Sequence, residues 1–246
     1  MPVLTWRLPS WRSRRAVPIV RTVLWPTGRQ LRVRLPRLLV GLIIIAFGIA
    51  LMAKSGAGLS PYEVLHQGIA RHTPLTLGRA SIVTGLVVLL LWFPLRQSPG
   101  LGTAVNVIGV GIATDTFLAL VPEPVGLAVR CGFTALGVLV IGVGIGLYIG
   151  AGLGPGPRDG LMTGLARRGF SVWRVRLALE VGALAAGWLL GGTVGPGTLL
   201  YTVAVPFLAH ASLQILSVVD DVAVLPADGP AEHREQGGQR GGEDGA

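Results

Sequence analysis

Residues 48–71 read GIALMAKSGAGLSPYEVLHQGIAR, and ninety-six positions later residues 144–167 read GIGLYIGAGLGPGPRDGLMTGLAR. The stretches align without a gap and are identical at ten of twenty-four positions, which marks the chain as a duplicated unit. Pro61 aligns with Pro157 and Glu63 with Asp159, so each copy sets a proline and a carboxylate at the start of a short helix. Ser60-Pro61-Tyr62-Glu63 is a complete helix start: serine as N-cap, proline at the first helical position, and an acid at the third, able to bond back. Gly156-Pro157-Arg158-Asp159 keeps the proline and the acid, replaces the cap serine by glycine, and adds Arg158 beside the acid.

The chain around these turns is that of a membrane protein. Of 246 residues 51% are hydrophobic, only 13% are charged, and 37 are glycine. Uncharged runs occupy 38–53, 80–95, 101–114, 131–157 and 181–219. At ~1.5 Å rise per residue and a ~30 Å hydrocarbon core, ~20 residues span a bilayer. Six principal spans are expected near 37–54, 79–96, 101–121, 128–150, 174–191 and 197–218. The apolar helices near 60–71 and 157–168 are too short to span upright and read as broken, tilted or re-entrant pieces. The predicted fold is thus all-α: a polytopic transmembrane helix bundle of two internal repeats, about 48–119 and 144–214, within a membrane domain 35–219.

Charge is segregated at the ends. Residues 1–37 hold nine arginines and no acid, whereas 220–246 hold seven acids and two arginines. The first 34 residues read as a basic cytoplasmic tail without a secretory signal, and 220–246 as a disordered, acidic, glycine-rich tail. The basic balance follows the positive-inside bias and calls for no nucleic-acid partner. If each short helix crosses back, Arg71, Arg79, Arg167, Arg168, Arg174 and Arg176 share the cytoplasmic side, and the repeats run parallel. An inverted pair with re-entrant short helices would put one of these arginine clusters outside. The charge bias therefore favours the parallel arrangement, with both termini cytoplasmic.

Paired acids at symmetric helix starts suit a binding site, because broken helices in transporters aim their N-termini at substrate or coupling ion, and an intramembrane acid is costly unless paired or wetted. The competing reading is ordinary helix capping at the membrane surface. Gly100-Leu101-Gly102-Thr103 corresponds to Gly195-Pro196-Gly197-Thr198 after a one-residue slip. Gly102, Thr103, Gly197 and Thr198 could admit a ligand to the backbone, although a tight turn with a capping threonine is the commoner use. Asp115 lies in an apolar run and its mate in the second copy is His210, a pair that could serve proton coupling. Glu180 has Arg176 four residues back on the same helical face. Small residues four apart, Gly146/Gly150, Gly160/Gly164 and Gly187/Gly191, favour close helix packing.

The signatures of membrane proteases, ATPases and hydrolases are missing, and the loops leave no room for a catalytic domain, so no enzyme, cofactor or metal centre is expected. Cys131 is alone, which excludes an internal disulfide.

The phrases GLSPYEVLHQGIA, LGRASIVTGLVVLLLW, GLGTAVNVIGVGIATD and GPRDGLMTGL resemble the bacterial YczE/YyaS/YitT family of integral membrane proteins, over about residues 35–218. The family pattern pairs a G-x-G-x-x-P-acid turn with a later G-x-G-T turn and an Asp ending the following span. On this chain it falls on Pro61, Glu63, Gly102, Thr103 and Asp115, and on Pro157, Asp159, Gly197 and Thr198. The resemblance implies a multi-pass bacterial inner-membrane protein of transporter-like character, and it carries over no catalytic site. The expected function is a small-solute permease of the plasma membrane. Its site would comprise Glu63, Asp159 and Asp115 with Ser60, Pro61, Pro157, Arg158 and the two glycine-threonine turns. The alternative is a non-transporting accessory protein whose glycine-lined surface packs against a membrane partner or a second copy.

Overall fold

A computed structural model describes residue 26 and residues 28–217 of the chain. Most of the expected basic tail and the whole acidic tail lie outside the described residues. Among the described residues eight helices follow one another: α1 (Gly28–Ser55), α2 (Pro61–His72), α3 (Leu77–Leu95), α4 (Leu101–Leu120), α5 (Leu127–Ala151), α6 (Pro157–Ala166), α7 (Val172–Leu189) and α8 (Pro196–Ser217). They are the six long and two short helices expected from the hydrophobic runs. Five of them, α1, α3, α4, α5 and α8, are long and apolar enough to cross a membrane. The expected sixth span, α7, falls outside this group because its eighteen residues carry Arg174, Arg176 and Glu180.

Glycine sets the packing at the centre. A methyl group added at Gly41 would lie 2.8 Å from Tyr148 N, one at Gly48 2.6 Å from Ile141 Cγ1, and one at Gly137 2.7 Å from Met52 Cγ. Contacts so close put backbone against backbone. Their order also gives direction: rising numbers along α1 meet falling numbers along α5, so these two helices are antiparallel. The Phe47 and Phe117 rings meet edge to face at 5.3 Å, and Leu42 faces Gly109, so α4 runs parallel to α1. Gly142 faces Leu208 and Gly146 faces Ser212, so α8 runs parallel to α5.

The segments 28–120 and 127–217 therefore run in opposite senses, which overturns the parallel arrangement expected from charge. At one face of the bundle the end of α1 meets the α4–α5 loop, where Lys54 Nζ pairs with Glu123 Oε1 at 2.5 Å. Asp115, near the end of α4, accepts at that face from Gly78 N at 2.8 Å, so α3 begins where α1 ends. Because α2 connects them and packs on the end of α7, it returns to the face it left. The opposite face gathers the start of α1, where Arg34 Nη1 donates to Ala151 O at 3.4 Å, and the end of α3, where Arg168 donates to Pro94 O. There α6 leaves and returns in the same way. Charge loses here because the exposed arginine has a local acceptor: Arg71 donates to Gly191 O just past α7, where carbonyl dipoles favour a cation.

The small-residue pairs are spent inside the chain. Gly146 is packed on Ser212, Gly160 on the Trp92 indole, and Gly187 on Val64 and Leu65. The glycine surface on which the accessory reading relied is therefore interior. The outward surface carries large apolar side chains instead, among them Leu90, Phe93, Ile112, Trp188, Leu199 and Phe207. Such a belt suits hydrocarbon rather than water.

Candidate functional site

Both short helices start as their sequences direct. Ser60, with φ −63° and ψ 157°, caps α2 by accepting from Glu63 N at 3.4 Å, and Pro61 follows at the first helical position. Gly156 takes the same extended conformation ahead of Pro157 without a side-chain cap. The turns before them use glycine where backbone geometry requires it. Gly56 and Gly58 have φ +66° and +116°, and their counterparts Gly152 and Gly154 have +62° and +131°.

Each turn is held by the opposite segment. Ala57 O accepts from Gly197 N at 2.8 Å, and Leu153 O accepts from Gly102 N at 2.9 Å. Thr103 Oγ1 accepts from Gly100 N at 3.2 Å and donates to Pro155 O at 2.7 Å. Thr198 Oγ1 accepts from Gly195 N at 3.3 Å in the same way. Gly102, Thr103, Gly197 and Thr198 thus lie in the walls that position the short helices.

With the turns so fixed, the starts of α2 and α6 converge on a cavity of about 490 Å³. The Arg158 guanidinium carbon sits 5.1 Å from the centre of the Tyr62 ring, and its Nε lies 4.0 Å from Asp159 Oδ1. The Glu63 carboxylate, 16% exposed, turns to His66 Nδ1 at 3.8 Å rather than back to its own N-cap. Tyr201 of α8 stands beside Arg158 and Ser60. Tyr148 Oη and Asp159 Oδ2 converge on Gly156, where an added methyl would meet them at 3.2 and 3.3 Å. Trp92, 1% exposed, anchors α6 by donating from Nε1 to Pro157 O at 2.8 Å. Ser81, Thr84, Asn106 and Thr202 add neutral polar groups to the wall, and the Arg176–Glu180 pair, joined at 3.1 Å as their spacing requires, closes one side.

Of the residues singled out from sequence, the structure brings together Pro61, Glu63, Pro157, Arg158 and Asp159, with Ser60 beside them. Asp115 is elsewhere. Its carboxylate caps α3, accepting from Gly78 N and from the Thr76 hydroxyl at the rim of the bundle. Its positional mate His210 does line the cavity, 2.9 Å from Gln214 Nε2, so the expected acid–imidazole pair is split. Sequence reasoning missed Tyr62, His66, Tyr148, Tyr201 and Asn106. Only His66 left a signal, as a titratable residue three positions after Glu63 on the same helical face. Among the described residues no group of three or more histidine, cysteine or acidic side chains could hold a metal ion.

Comparison with known proteins returns relatives of the kind the sequence resembled. A model described as a family of unknown function, DUF6198, matches residues 33–212. An uncharacterized protein of Haemophilus influenzae is 38% identical over 181 residues, covering 73% of this chain and 83% of its own length. The uncharacterized membrane protein YczE of Bacillus subtilis is 35% identical over 176 residues, covering 70% of this chain and 82% of its own. Uncharacterized protein YyaS of the same organism is 26% identical over 184 residues, covering 72% and 90%. No solved structure matches the chain. With five apolar helices of spanning length and relatives that cover most of it, the chain is an integral membrane protein that belongs to the DUF6198 family and is similar to YczE and YyaS.

Proposed function

We propose that the protein is a permease of the bacterial plasma membrane that carries a small polar or charged solute through the cavity between α2 and α6. One observation carries this reading: two short helices from opposite faces point their N-termini, each with an acid in its first turn, into one cavity whose largely apolar wall gathers Glu63, Arg158 and Asp159 inside the bundle. Ionisable groups in such a place are costly to keep and mark substrate or ion paths. Opposed re-entrant helices meeting at a site also suit alternating access, because a small rocking of one half against the other opens one face as it closes the other. The ninety-six-residue sequence repeat gives the two halves comparable parts for that exchange. The face bearing Arg32, Arg34, Arg37, Arg96, Arg167 and Arg168 is assigned to the cytoplasm by the positive-inside bias.

The test is a thermal-stability screen of the purified protein against ions and small metabolites, run beside a Glu63→Gln, Asp159→Asn double variant. A ligand at a hundred times its Kd stabilises the folded state by about 2.7 kcal/mol. The reading predicts a ligand that stabilises the wild type and leaves the folded double variant unmoved. Equal stabilisation of both proteins would remove Glu63 and Asp159 from the site.

A further inference from the structure

The charges lining the cavity do not balance. Glu63, Asp159 and Glu180 bring three carboxylates, and Arg158 and Arg176 bring two guanidinium groups. Glu180 is engaged by Arg176 on its own helix at 3.1 Å. Arg158 remains to answer both Asp159, 4.0 Å from its Nε, and Glu63, with which it interacts across the junction of α2 and α6. One carboxylate is in excess. The helix N-termini answer a carboxylate only fractionally, and Ser60 Oγ already accepts from one amide of α2. An unanswered charge in this setting is strongly unfavourable.

A second observation says what can answer it. The His66 side chain is 8% exposed, and its Nδ1, 3.8 Å from Glu63 Oε1, has no hydrogen-bond partner. At that separation the two groups are not hydrogen-bonded, and one proton taken up by either of them would cancel the excess charge. The remaining wall favours a different monovalent cation. Tyr62, Tyr148 and Tyr201 line the cavity, and the Arg158 guanidinium already lies 5.1 Å from the Tyr62 ring centre, so the aromatic surface accepts a delocalised cation.

We propose that the cavity binds one monovalent organic cation in exchange for one proton, the proton being taken up by the Glu63–His66 pair and released to solvent as the cation enters. This rests on the reading of the cavity as the solute site. Charge is conserved, with one positive charge entering and one leaving, and the two occupants exclude each other because each answers the same excess carboxylate. The ionisable groups facing the Glu63–His66 pair are Tyr148 of α5, Arg158 and Asp159 of α6, Arg176 and Glu180 of α7, and Tyr201 and His210 of α8, with Tyr62 beside it on α2.

The test uses the full chain in lipid nanodiscs at low buffer capacity, with a pH indicator. The probes are chloride salts of ammonium, tetramethylammonium, tetraethylammonium and tetraphenylphosphonium, with sodium benzoate as the anionic control. At least one cation should bind with release of about one proton, and its apparent Kd should rise about tenfold per pH unit on the acid side of the transition. Glu63→Gln and Asp159→Asn each remove the excess charge, so each should abolish proton release. If Glu63→Gln fails to fold, Asp159→Asn still decides the point. Cation binding without proton release overturns the exchange while leaving the cavity as a solute site. Benzoate binding that is lost in Arg158→Gln overturns the cation class but again keeps the site. Absence of binding by every cation overturns the proposal, and absence of any stabilising ligand in the metabolite screen as well would sink the permease reading with it.

Discussion

Gly48→Ala tests the antiparallel contact of α1 and α5 on which the placement of the cavity depends. On helix propensity alone, alanine in place of glycine inside a helix should stabilise by about 1 kcal/mol. At this position the structure reverses the sign. The added methyl would stand 2.6 Å from Ile141 Cγ1, 2.8 Å from Gly137 O and 2.9 Å from Val140 Cγ2, and one of these atoms belongs to a backbone that can yield only if the helices part. Overpacking a tight contact costs about 1–3 kcal/mol. Set against the propensity gain, the net is a loss of up to about 2 kcal/mol, and at the least a cancelled gain. Gly182 is the matched control, since it lies within α7 and an added methyl there meets nothing within 4 Å. Gly182→Ala should therefore gain up to about 1 kcal/mol. Reversible unfolding of both variants in mixed micelles by titration with a denaturing detergent gives the comparison directly. A Gly48→Ala protein as stable as Gly182→Ala would refute the close α1–α5 contact and the helix directions read from it.

Further outcomes follow from other contacts. In a Cys131→Ser background, Thr73→Cys and Phe170→Cys should label from opposite sides of the membrane, with residue 73 outside. Equal protection of both from an external reagent would restore the parallel arrangement. Asp115→Ala removes two bonds that cap α3 and should lower stability by about 1–2 kcal/mol, whereas solute binding by the folded variant should be unchanged. Trp92→Phe deletes the bond to Pro157 O and should weaken ligand binding by releasing the start of α6, at a stability cost of about 1–3 kcal/mol; unaltered binding would mean that α6 is positioned without it. Glu123→Ala breaks a pair whose acid is 75% exposed, and its unfolding free energy should stay within about 1 kcal/mol of wild type.

What the sequence made legible was whatever depends on local chemistry. Uncharged runs located the long helices, and Ser60-Pro61 and Gly156-Pro157 located the short ones, because solvation and capping act within one turn of chain. The arginine clusters misled about direction. They report a preference for one side of the membrane, while the sense of α5 against α1 is fixed by backbone contact at Gly41, Gly48, Gly137 and Gly144. Asp115 and Glu63 looked alike as acids in apolar runs, yet one ends near the rim facing the amides of α3 and the other faces the interior. That difference is tertiary and has no periodicity to betray it. Tyr148 and Tyr201 reach the cavity from different long helices, so no spacing along the chain connects them.

The crossed bonds of the two turns also constrain how the molecule is made. Ala57 emerges from the ribosome early, but its partner amide on Gly197 belongs to α8, the last of the described helices to be synthesised. Until α8 inserts, the carbonyl of Ala57 has no such donor and the first short helix has no floor on which to settle. A nascent chain lacking α8 therefore presents an open turn and an acid without its cavity. Completion of α8 and closure of the two turns are thus one event.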